Sequence, residues 1–268
     1  MSERLRIVIP TYRRAFAQHT FQGLPNTWHD RVTLVVDEQD AKIFRRDSWR
    51  ETGCEVVVVP ETVHTIAQKR AWILRELPYE LLVMMDDDLR FACRLPSTPV
   101  RLVPADPTMV AAHLGWLEMK LQSDVAHAGW SARQGNNRLD DGWISNTRMM
   151  YVLGYRRSVV LRECQLGRVE TREDMDYTLQ LLRRGFPNAV SSLICADQKY
   201  NAPGGASLER TTERSDADAE KLAELHPGLV KVVHKSYKGS IPRKEVICYW
   251  KKALNHDFQE TALKEVAE

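Results

Sequence analysis

The chain of 268 residues has no long apolar run, no paired cysteines and no strong charge of either sign. No segment reaches the ~18 consecutive apolar residues of a membrane helix, so we expect no membrane span. Five widely spaced cysteines without a C-x-x-C pair argue against a zinc site and for reduced thiols in a cytoplasmic protein. A net charge of +2 gives no global attraction for a polyanion, so any nucleic-acid contact must come from a local patch.

The rest of the composition is ordinary for a globular protein, with 43% apolar and 28% charged residues. The length suits one large domain or two small ones and allows a substantial core. No internal repeat is evident, and the first residues lead into a strand-like run without a signal-peptide pattern.

A short apolar run followed by three carboxylates, Asp86, Asp87 and Asp88, organises the rest of the chain. Residues 81–85 predict a strand buried on both faces, and ligands of open α/β sheets gather at the carboxyl ends of strands. Side-chain alternation places Asp86 and Asp88 on one solvent-facing side and Asp87 on the other. Bound Mg²⁺ or Mn²⁺ would relieve the repulsion among the three anions. For this triplet alone, a solvated acidic turn or a helix cap is the competing interpretation.

Apolar strands at residues 5–10, 31–36 and 55–59, separated by helix-length connections, predict βαβ units and a mainly parallel sheet. After Pro10, the side chains of Thr11, Tyr12 and Arg13 lie where an aromatic ring can hold a base and a guanidinium can bind phosphate. Taken alone, a polar loop with a stacked Tyr–Arg pair explains them equally. Asp37 begins the acidic exit of the second strand.

A helix predicted over residues 65–77 carries Gln68, Lys69 and Arg70 in its early turns, just upstream of the acidic strand. There Gln68 and Arg70 can reach a nucleotide, although solvated surface charges are the usual alternative. We expect a proline-rich loop at residues 93–107 and a helix at 108–125.

The acceptor side is predicted from two irregular segments. Residues 127–146 form a polar, aromatic stretch with Trp130 and Trp143, and such loops in compact domains are more often binding loops than linkers. A second loop, at residues 197–214, carries Asn201, Gly204 and Gly205.

Glu173 and Asp174 begin a helix that Gly185 ends. A helix N-terminus favours the ionised carboxylate that a general base needs, so either residue can accept a proton from an acceptor hydroxyl. The structural alternative is a capping box between Thr171 and Asp174.

The C-terminal region is the one basic part of the chain, with eight Lys or Arg against two Glu between Lys221 and Lys252. A strand at residues 229–233 leads into His234, Lys235 and Lys238, a set that can bind a metal and a diphosphate together. A lone His after a strand is more usually structural. Residues 245–268 are expected to be helical.

Taken together, these motifs resemble glycosyltransferases of the GT-A fold, on the pattern of the inverting family 2. The opening strand with its Pro-Thr-Tyr-Arg exit, the Gln-Lys-Arg helix, the Asp86–Asp88 motif and the Glu-Asp-x-Asp…Arg-x-x-Gly sequence from Glu173 occur in the family's order. The resemblance implies an α/β fold with a Rossmann-like, mainly parallel central sheet flanked by helices, an acceptor-binding region and a C-terminal helical tail. It also implies a GT-A domain at residues 1–240, with a nucleotide-sugar half at 1–125, an acceptor half at 126–240 and a helical extension at 241–268.

By this resemblance Asp174 is the base, Asp88 and His234 hold Mn²⁺ or Mg²⁺, and Asp86 lies near the ribose or donor sugar. The donor is expected to be a nucleotide diphospho-sugar, most simply a UDP-sugar, whose phosphates Lys235, Lys238 and Arg13 help to neutralise. Pro10, Asp37 and Asp87 are expected to contact the donor as well.

More narrowly, residues 35–41 and 65–71 are similar to phage glycosyltransferases associated with TET/JBP-type oxygenases. That likeness implies transfer of a sugar to hydroxymethylated pyrimidine in DNA, 5-hydroxymethylcytosine or 5-hydroxymethyluracil, inside a host cell if the protein is phage-encoded. In DNA, Trp130 and Trp143 can stack on the base.

Three other classes compete with this interpretation. One is a glycosyltransferase acting on a glycan or small molecule. Another is a sugar-phosphate nucleotidyltransferase, which the missing glycine in the Pro10–Arg14 turn disfavours. The last is a nucleic-acid-binding module without catalysis, which leaves the carboxylates unexplained.

Overall fold

The computed structural model describes residues 4–44, 49, 51–95, 97–123, 125–132, 142–198, 211–236 and 242–257. Its strands are β1 Arg6–Pro10, β2 Val32–Val36, β3 Glu55–Val58, β4 Leu81–Met85, β5 Leu89–Leu95, β6 Thr98–Pro104, β7 His127–Ala132, β8 Trp143–Ser145, β9 Val152–Arg156, β10 Asn188–Gln198, β11 Val230–Lys235 and β12 Arg243–Cys248. Its helices are α1 His19–Gly23, a 3-10 helix Asn26–Arg31, α2 Glu38–Phe44, α3 Ile66–Glu76, α4 Pro107–Gln122, α5 Arg157–Glu163, α6 Glu173–Arg183, α7 Thr212–Leu225 and α8 Trp250–Ala253.

Within these ranges, ten strands form one sheet in the order β3-β2-β1-β4-β9-β7-β10-β5-β6, with β8 paired to β10. Strands β3, β2, β1 and β4 are all parallel, as the βαβ pattern predicts. Beyond β4, antiparallel pairs dominate, and β7 with β10 is parallel. The predicted α/β fold with a central sheet flanked by helices is confirmed. The parallel strands β1, β2 and β4 end at one edge, which is where their polar exits meet.

Both faces of the sheet are covered, so alternate residues of β1 enter different cores. Ile7 and Ile9 pack with α1, α2 and α4, whereas Val8 packs with α3, α5 and α6. A third apolar cluster joins α6 to α7, β11, β12 and α8. The domain boundary predicted at residue 240 falls between β11 and β12, which pair with each other.

Two glycines allow β7 and β9 to approach closely. A Cβ added to Gly129 would lie 2.3 Å from the Val152 carbonyl oxygen, and one added to Gly154 would lie 2.6 Å from the Ala128 oxygen. Both contacts are with backbone, which cannot move aside. Neither position accepts a side chain in this pairing.

Capping residues start two helices close to where the sequence predicts them. Thr65 caps α3, and the Gln68 side chain completes the capping box. The helix expected at residues 108–125 is α4, which begins one residue earlier because Asp106 caps it and Pro107 occupies its first turn.

Three expectations about secondary structure are wrong. Residues 93–107 are not a loop, because β5 and β6 pair there as a hairpin and β6 is an edge strand that tolerates proline. Residues 245–248 belong to β12 rather than to a helix, because Val246 and Cys248 pack inward against the third cluster. The sequence also predicts a first helix that begins near Arg14–Phe16, whereas the helix starts at His19 and the Arg14 side chain is committed to an ion-pair network. In the described ranges, every helix is too short or too polar to cross a lipid bilayer.

Candidate active site

The three consecutive carboxylates form the turn from β4 into β5. Asp87 and Asp88 are each only 5% exposed, and both contact one guanidinium, that of Arg14. Arg14 Nη1 lies 2.6 Å from Asp87 Oδ1 and 2.8 Å from Asp88 Oδ2. The expected placement of Asp87 and Asp88 on opposite, solvent-facing sides is wrong, because the chain turns at these residues instead of continuing as a strand.

Burial decides the electrostatics of this turn. It raises the pKa of Asp87 to about 6, with the Arg14 charge acting in the opposite direction. Burial also raises the pKa of Asp88, again against Arg14. Asp88 Oδ1 is buried with no hydrogen-bond partner among the described residues. A buried anionic oxygen without a donor is costly, and a divalent cation would satisfy it. The turn therefore has the chemistry of a metal ligand at Asp88.

A buried arginine joins this turn to the helix that carries the predicted base. Arg70 of α3 contacts both Asp86 and Glu173 through short ion pairs. The other Asp86 oxygen accepts from Gln198 at 3.1 Å. The two acidic motifs, which lie 87 residues apart in the sequence (86 against 173), thus meet around one guanidinium.

The structure does not support a proton-transfer role for Glu173. Its carboxylate is 2% exposed and is held by Arg70. A carboxylate in that position orients the guanidinium and is closed to an acceptor. Arg70 is likewise turned toward the carboxylates of Asp86 and Glu173, and its contact with the donor stays a prediction.

Asp174, the next residue, is half-buried at the start of α6. The competing capping box is not formed, because Thr171 Oγ1 donates to Asp218 at 2.8 Å and the N-cap residue, Arg172, makes no side-chain capping bond. The Asp174 charge is close enough to Arg70 to help raise the pKa of that guanidinium. Asp174 is thus the carboxylate of the pair that remains accessible beside the acidic turn.

The expected donor side lies where β1 and β2 end. Arg13 is exposed, its guanidinium lies 5.0 Å from the centre of the half-buried Tyr12 ring, and its backbone N–H donates to Asp40 at 2.7 Å. Asp37 accepts from the Asp40 backbone at 3.0 Å and remains half-buried. Tyr12, Arg13 and Asp37 therefore lie at the same edge of the sheet, and their contacts with the donor stay a prediction.

Three other predicted donor residues have structural tasks. Pro10 ends β1 in the core, and Thr11 is buried, where its hydroxyl donates to Asp87 at 3.2 Å. Lys69 holds the Thr11 carbonyl at 2.7 Å. The Gln68 side-chain oxygen accepts from the His64 and Thr65 backbone, so that oxygen is committed to the cap of α3.

The site also contains residues that the sequence reasoning missed. Tyr151 has a left-handed backbone with φ of 67°, and its carbonyl accepts from the Asp86 N–H at 3.2 Å. Burial raises the pKa of the Tyr151 phenol, and the charge of Asp86 adds to that rise. Such strain in a bulky residue persists only where surrounding contacts enforce it. Neither Arg14 nor Tyr151 belongs to a recognisable motif, so only the fold identifies them.

The predicted acceptor residues have different positions relative to the core. Trp130 is fully buried on β7 and meets Phe91 edge-to-face at 5.3 Å, so its assignment to acceptor binding is wrong. The sequence predicts a loop here, whereas the residues around Trp130 form a strand that faces the core. Trp143 is half-buried on β8 beneath Lys120. Asn201, Gly204, Gly205 and Lys238 lie outside the described residues.

His234 and Lys235 are exposed neighbours on β11, so they point to opposite faces of the β11–β12 hairpin. In the described part of the chain, no three His, Cys, Asp or Glu side chains form a metal-binding group. The partnership of His234 with Asp88 in a metal site stays a prediction.

A family model and several solved structures match this chain. The family model described as TET-Associated Glycosyltransferase matches residues 5–205. The comparison with curated proteins finds no match.

Among solved structures, glucosyl-3-phosphoglycerate synthase from Mycobacterium tuberculosis, in complex with Mn²⁺, UDP and phosphoglyceric acid, is 12% identical with a TM-score of 0.55, covering 92% of this chain and 87% of that one. A mannosyltransferase from Pyrobaculum calidifontis, in complex with GDP-mannose and Mn²⁺, is 17% identical with a TM-score of 0.52, covering 84% of this chain and 64% of that one. At these identities the likeness shows the fold alone, which is GT-A.

Proposed function

Because this chain belongs to the TET-associated glycosyltransferase family, we propose that it transfers a sugar from a UDP-sugar to the hydroxymethyl group of 5-hydroxymethylcytosine or 5-hydroxymethyluracil in DNA, inverting the anomeric configuration. The observation that carries the mechanism is the Arg70 bridge between Asp86 and Glu173. It fixes the start of α6, and with it Asp174, beside the acidic turn where the donor's reacting end is expected.

On the donor side, the Tyr12 ring and the Arg13 guanidinium offer stacking for a base and charge for phosphate. Asp86 is the first residue of the turn and is less buried than Asp87 and Asp88. Its carboxylate can accept a hydrogen bond from a hydroxyl of the ribose or of the donor sugar. Both assignments follow the rule that ligands of open α/β sheets bind beyond the carboxyl ends of the strands.

Asp88 would hold Mn²⁺ or Mg²⁺ through its unpartnered oxygen, while Arg14 keeps its other oxygen in place at 2.8 Å. When bound, such an ion supplies positive charge that offsets the charge developing on a diphosphate leaving group. The solved neighbours that contain Mn²⁺ with UDP or GDP-mannose support this assignment.

Asp174 acts as the general base. Its carboxylate takes the proton of the acceptor hydroxyl while that oxygen forms a bond to the anomeric carbon, and the bond from that carbon to the phosphate oxygen breaks to release UDP. Attack from the side opposite the leaving group inverts the anomeric centre in one displacement. The N-terminal position of Asp174 on α6 favours the ionised form that this step requires.

Duplex DNA containing either hydroxymethylated base, incubated with a panel of UDP-sugars and Mn²⁺, tests the proposal. Mass spectrometry of the digested nucleosides should show one base carrying one added sugar residue, and Asp174→Asn should remove that product. UDP release with glycans or small alcohols as acceptors, without any sugar on DNA, would contradict the DNA assignment.

A further inference from the structure

The C-terminal module, residues 211–236 and 242–257, lies beyond the family match, which ends at residue 205. It contains α7, the β11–β12 hairpin and α8, packed on α6 through the third apolar cluster. The family model therefore assigns no role to this module.

Two buried side chains fasten the module to the segment that enters the catalytic helix. Asp218 of α7 accepts from the backbone N–H groups of Glu170 at 3.2 Å and Thr171 at 2.8 Å. Arg172 donates to the carbonyls of Ser215 at 2.6 Å and Lys244 at 3.2 Å. Arg172, which lies two residues before Asp174 in the sequence, therefore contacts the hairpin directly.

The far end of β12 also approaches the base. Burial raises the pKa of the Cys248 thiol to about 12, and among the charges that act on this thiol is Asp174. Cys248 packs inward, whereas Glu245 projects from the outer face of the hairpin and lies 3.9 Å from Arg172. The outer face is therefore also near the start of α6, two residues before Asp174.

That outer face is basic. The β11–β12 register places Lys231, Lys235 and Arg243 on one side of the hairpin, all exposed, while Val230, Val246 and Cys248 pack inward. Lys235 and Arg243 lie directly opposite each other. Like charges in directly opposed positions destabilise a strand pair, so a bound anion at this position would be favourable.

One carboxylate shares the face. Glu245 contacts Arg243 at 3.0 Å and lies 3.9 Å from Arg172. The three cations still outnumber it. Lys231 and Arg243, at opposite ends of the face and four residues apart in register, are ~13 Å apart at the usual rise of a strand. That span corresponds to the rise of about four base pairs along the axis of a DNA duplex.

We propose that this outer face of the hairpin docks the phosphate backbone of duplex DNA and so presents the modified base to Asp174. The inference rests on the proposed function, since it names the surface that receives the DNA acceptor. Lys235 is thereby a contact to DNA phosphate rather than to the donor.

The test measures the affinity for unmodified duplex DNA by fluorescence anisotropy at several salt concentrations, with no donor present. The variant is Lys231→Gln with Arg243→Gln. The matched control is Arg101→Gln with Arg162→Gln, which removes two exposed charges from other elements. Each lost phosphate contact should weaken binding about 5-fold at about 0.15 M salt, hence about 25-fold for the pair. Each should also reduce the slope of log K against log salt concentration by about 0.9. The control should bind as the wild-type protein does.

Slow release of UDP from a UDP-sugar in the absence of DNA should be unchanged in the variant. If the double variant fails to fold, Lys231→Gln alone, at an exposed strand position, should still weaken binding about 5-fold. Wild-type affinity with an unchanged salt slope in the variant would overturn the proposal, as would stronger binding to double-stranded RNA than to DNA. Absence of UDP release by the wild-type protein with every donor tests the proposed function separately, because the binding assay needs no donor.

Discussion

Arg14 is the positive charge on which the buried acidic turn depends, and replacing it with glutamine gives the sharpest prediction about the site. The side chains of Arg14, Asp87 and Asp88 are 9%, 6% and 7% exposed, so the three charges share a site that water hardly reaches. Removing one member of a buried ion pair costs about 3–5 kcal/mol, because the remaining charge is left without compensation. We expect Arg14→Gln to lose about that much free energy of unfolding at neutral pH.

The loss should depend on pH with a definite sign. Burial raises the pKa of Asp87 to about 6 even with Arg14 present, and without the arginine the pKa values of Asp87 and Asp88 rise further. A carboxyl group whose pKa is higher in the folded than in the unfolded protein binds more protons when folded, so stability falls as pH rises through that interval. The deficit of the variant should therefore be smallest near pH ~4, where the buried carboxyl groups are protonated in both folded proteins, and should grow as pH rises past the pKa of about 6 that Asp87 has with Arg14 present.

Urea unfolding followed by circular dichroism, in the presence of a chelator and across this pH range, measures the effect. Arg162→Gln, at a side chain that is 61% exposed, is the matched control and should change the free energy of unfolding by less than about 0.5 kcal/mol. A deficit of Arg14→Gln that stays constant with pH, or that is below about 1 kcal/mol at neutral pH, would refute this account of the buried charges.

Three further substitutions test the roles assigned in the site. Asp88→Asn should weaken Mn²⁺-dependent UDP binding by about tenfold or more in calorimetry, since second-shell losses alone cost 10–100-fold, and unchanged affinity would remove Asp88 as ligand. Asp174→Asn should leave UDP binding intact and reduce sugar transfer by about 10²–10⁴-fold in a single-turnover assay, whereas a near-normal rate would exclude it as the base. Glu173→Gln should cost about 3 kcal/mol in urea unfolding because Arg70 loses a buried partner, and a change below about 0.5 kcal/mol would contradict the bridge.

The sequence predicts well what depends on local pattern. The apolar runs of β1, β2 and β4 identify the parallel part of the sheet, and the capping residues of α3 give its start within one residue. Because parallel strands present their carboxyl ends at one edge, Tyr12, Asp37 and Asp86 could be expected near each other before any coordinates.

The sequence fails where tertiary packing overrides local pattern. Polar and aromatic residues after His127 resemble a loop, yet Trp130 is core because β7 pairs on both sides within the sheet. Prolines near β6 resemble a break, yet an edge strand lacks one partner and tolerates them. The charges on Asp87 and Asp88 suggest exposure, and only the fold brings Arg14 across 73 residues to neutralise them.

Crystals soaked with Mn²⁺ and UDP, with diffraction data collected at a wavelength where manganese scatters anomalously, test the central claim most directly. The claim is that the turn after β4 holds a cation against the diphosphate of the donor. We predict an anomalous peak at the Asp88 carboxylate, with the uracil beside Tyr12. A peak at another place, or UDP bound with no manganese at Asp88, would contradict it.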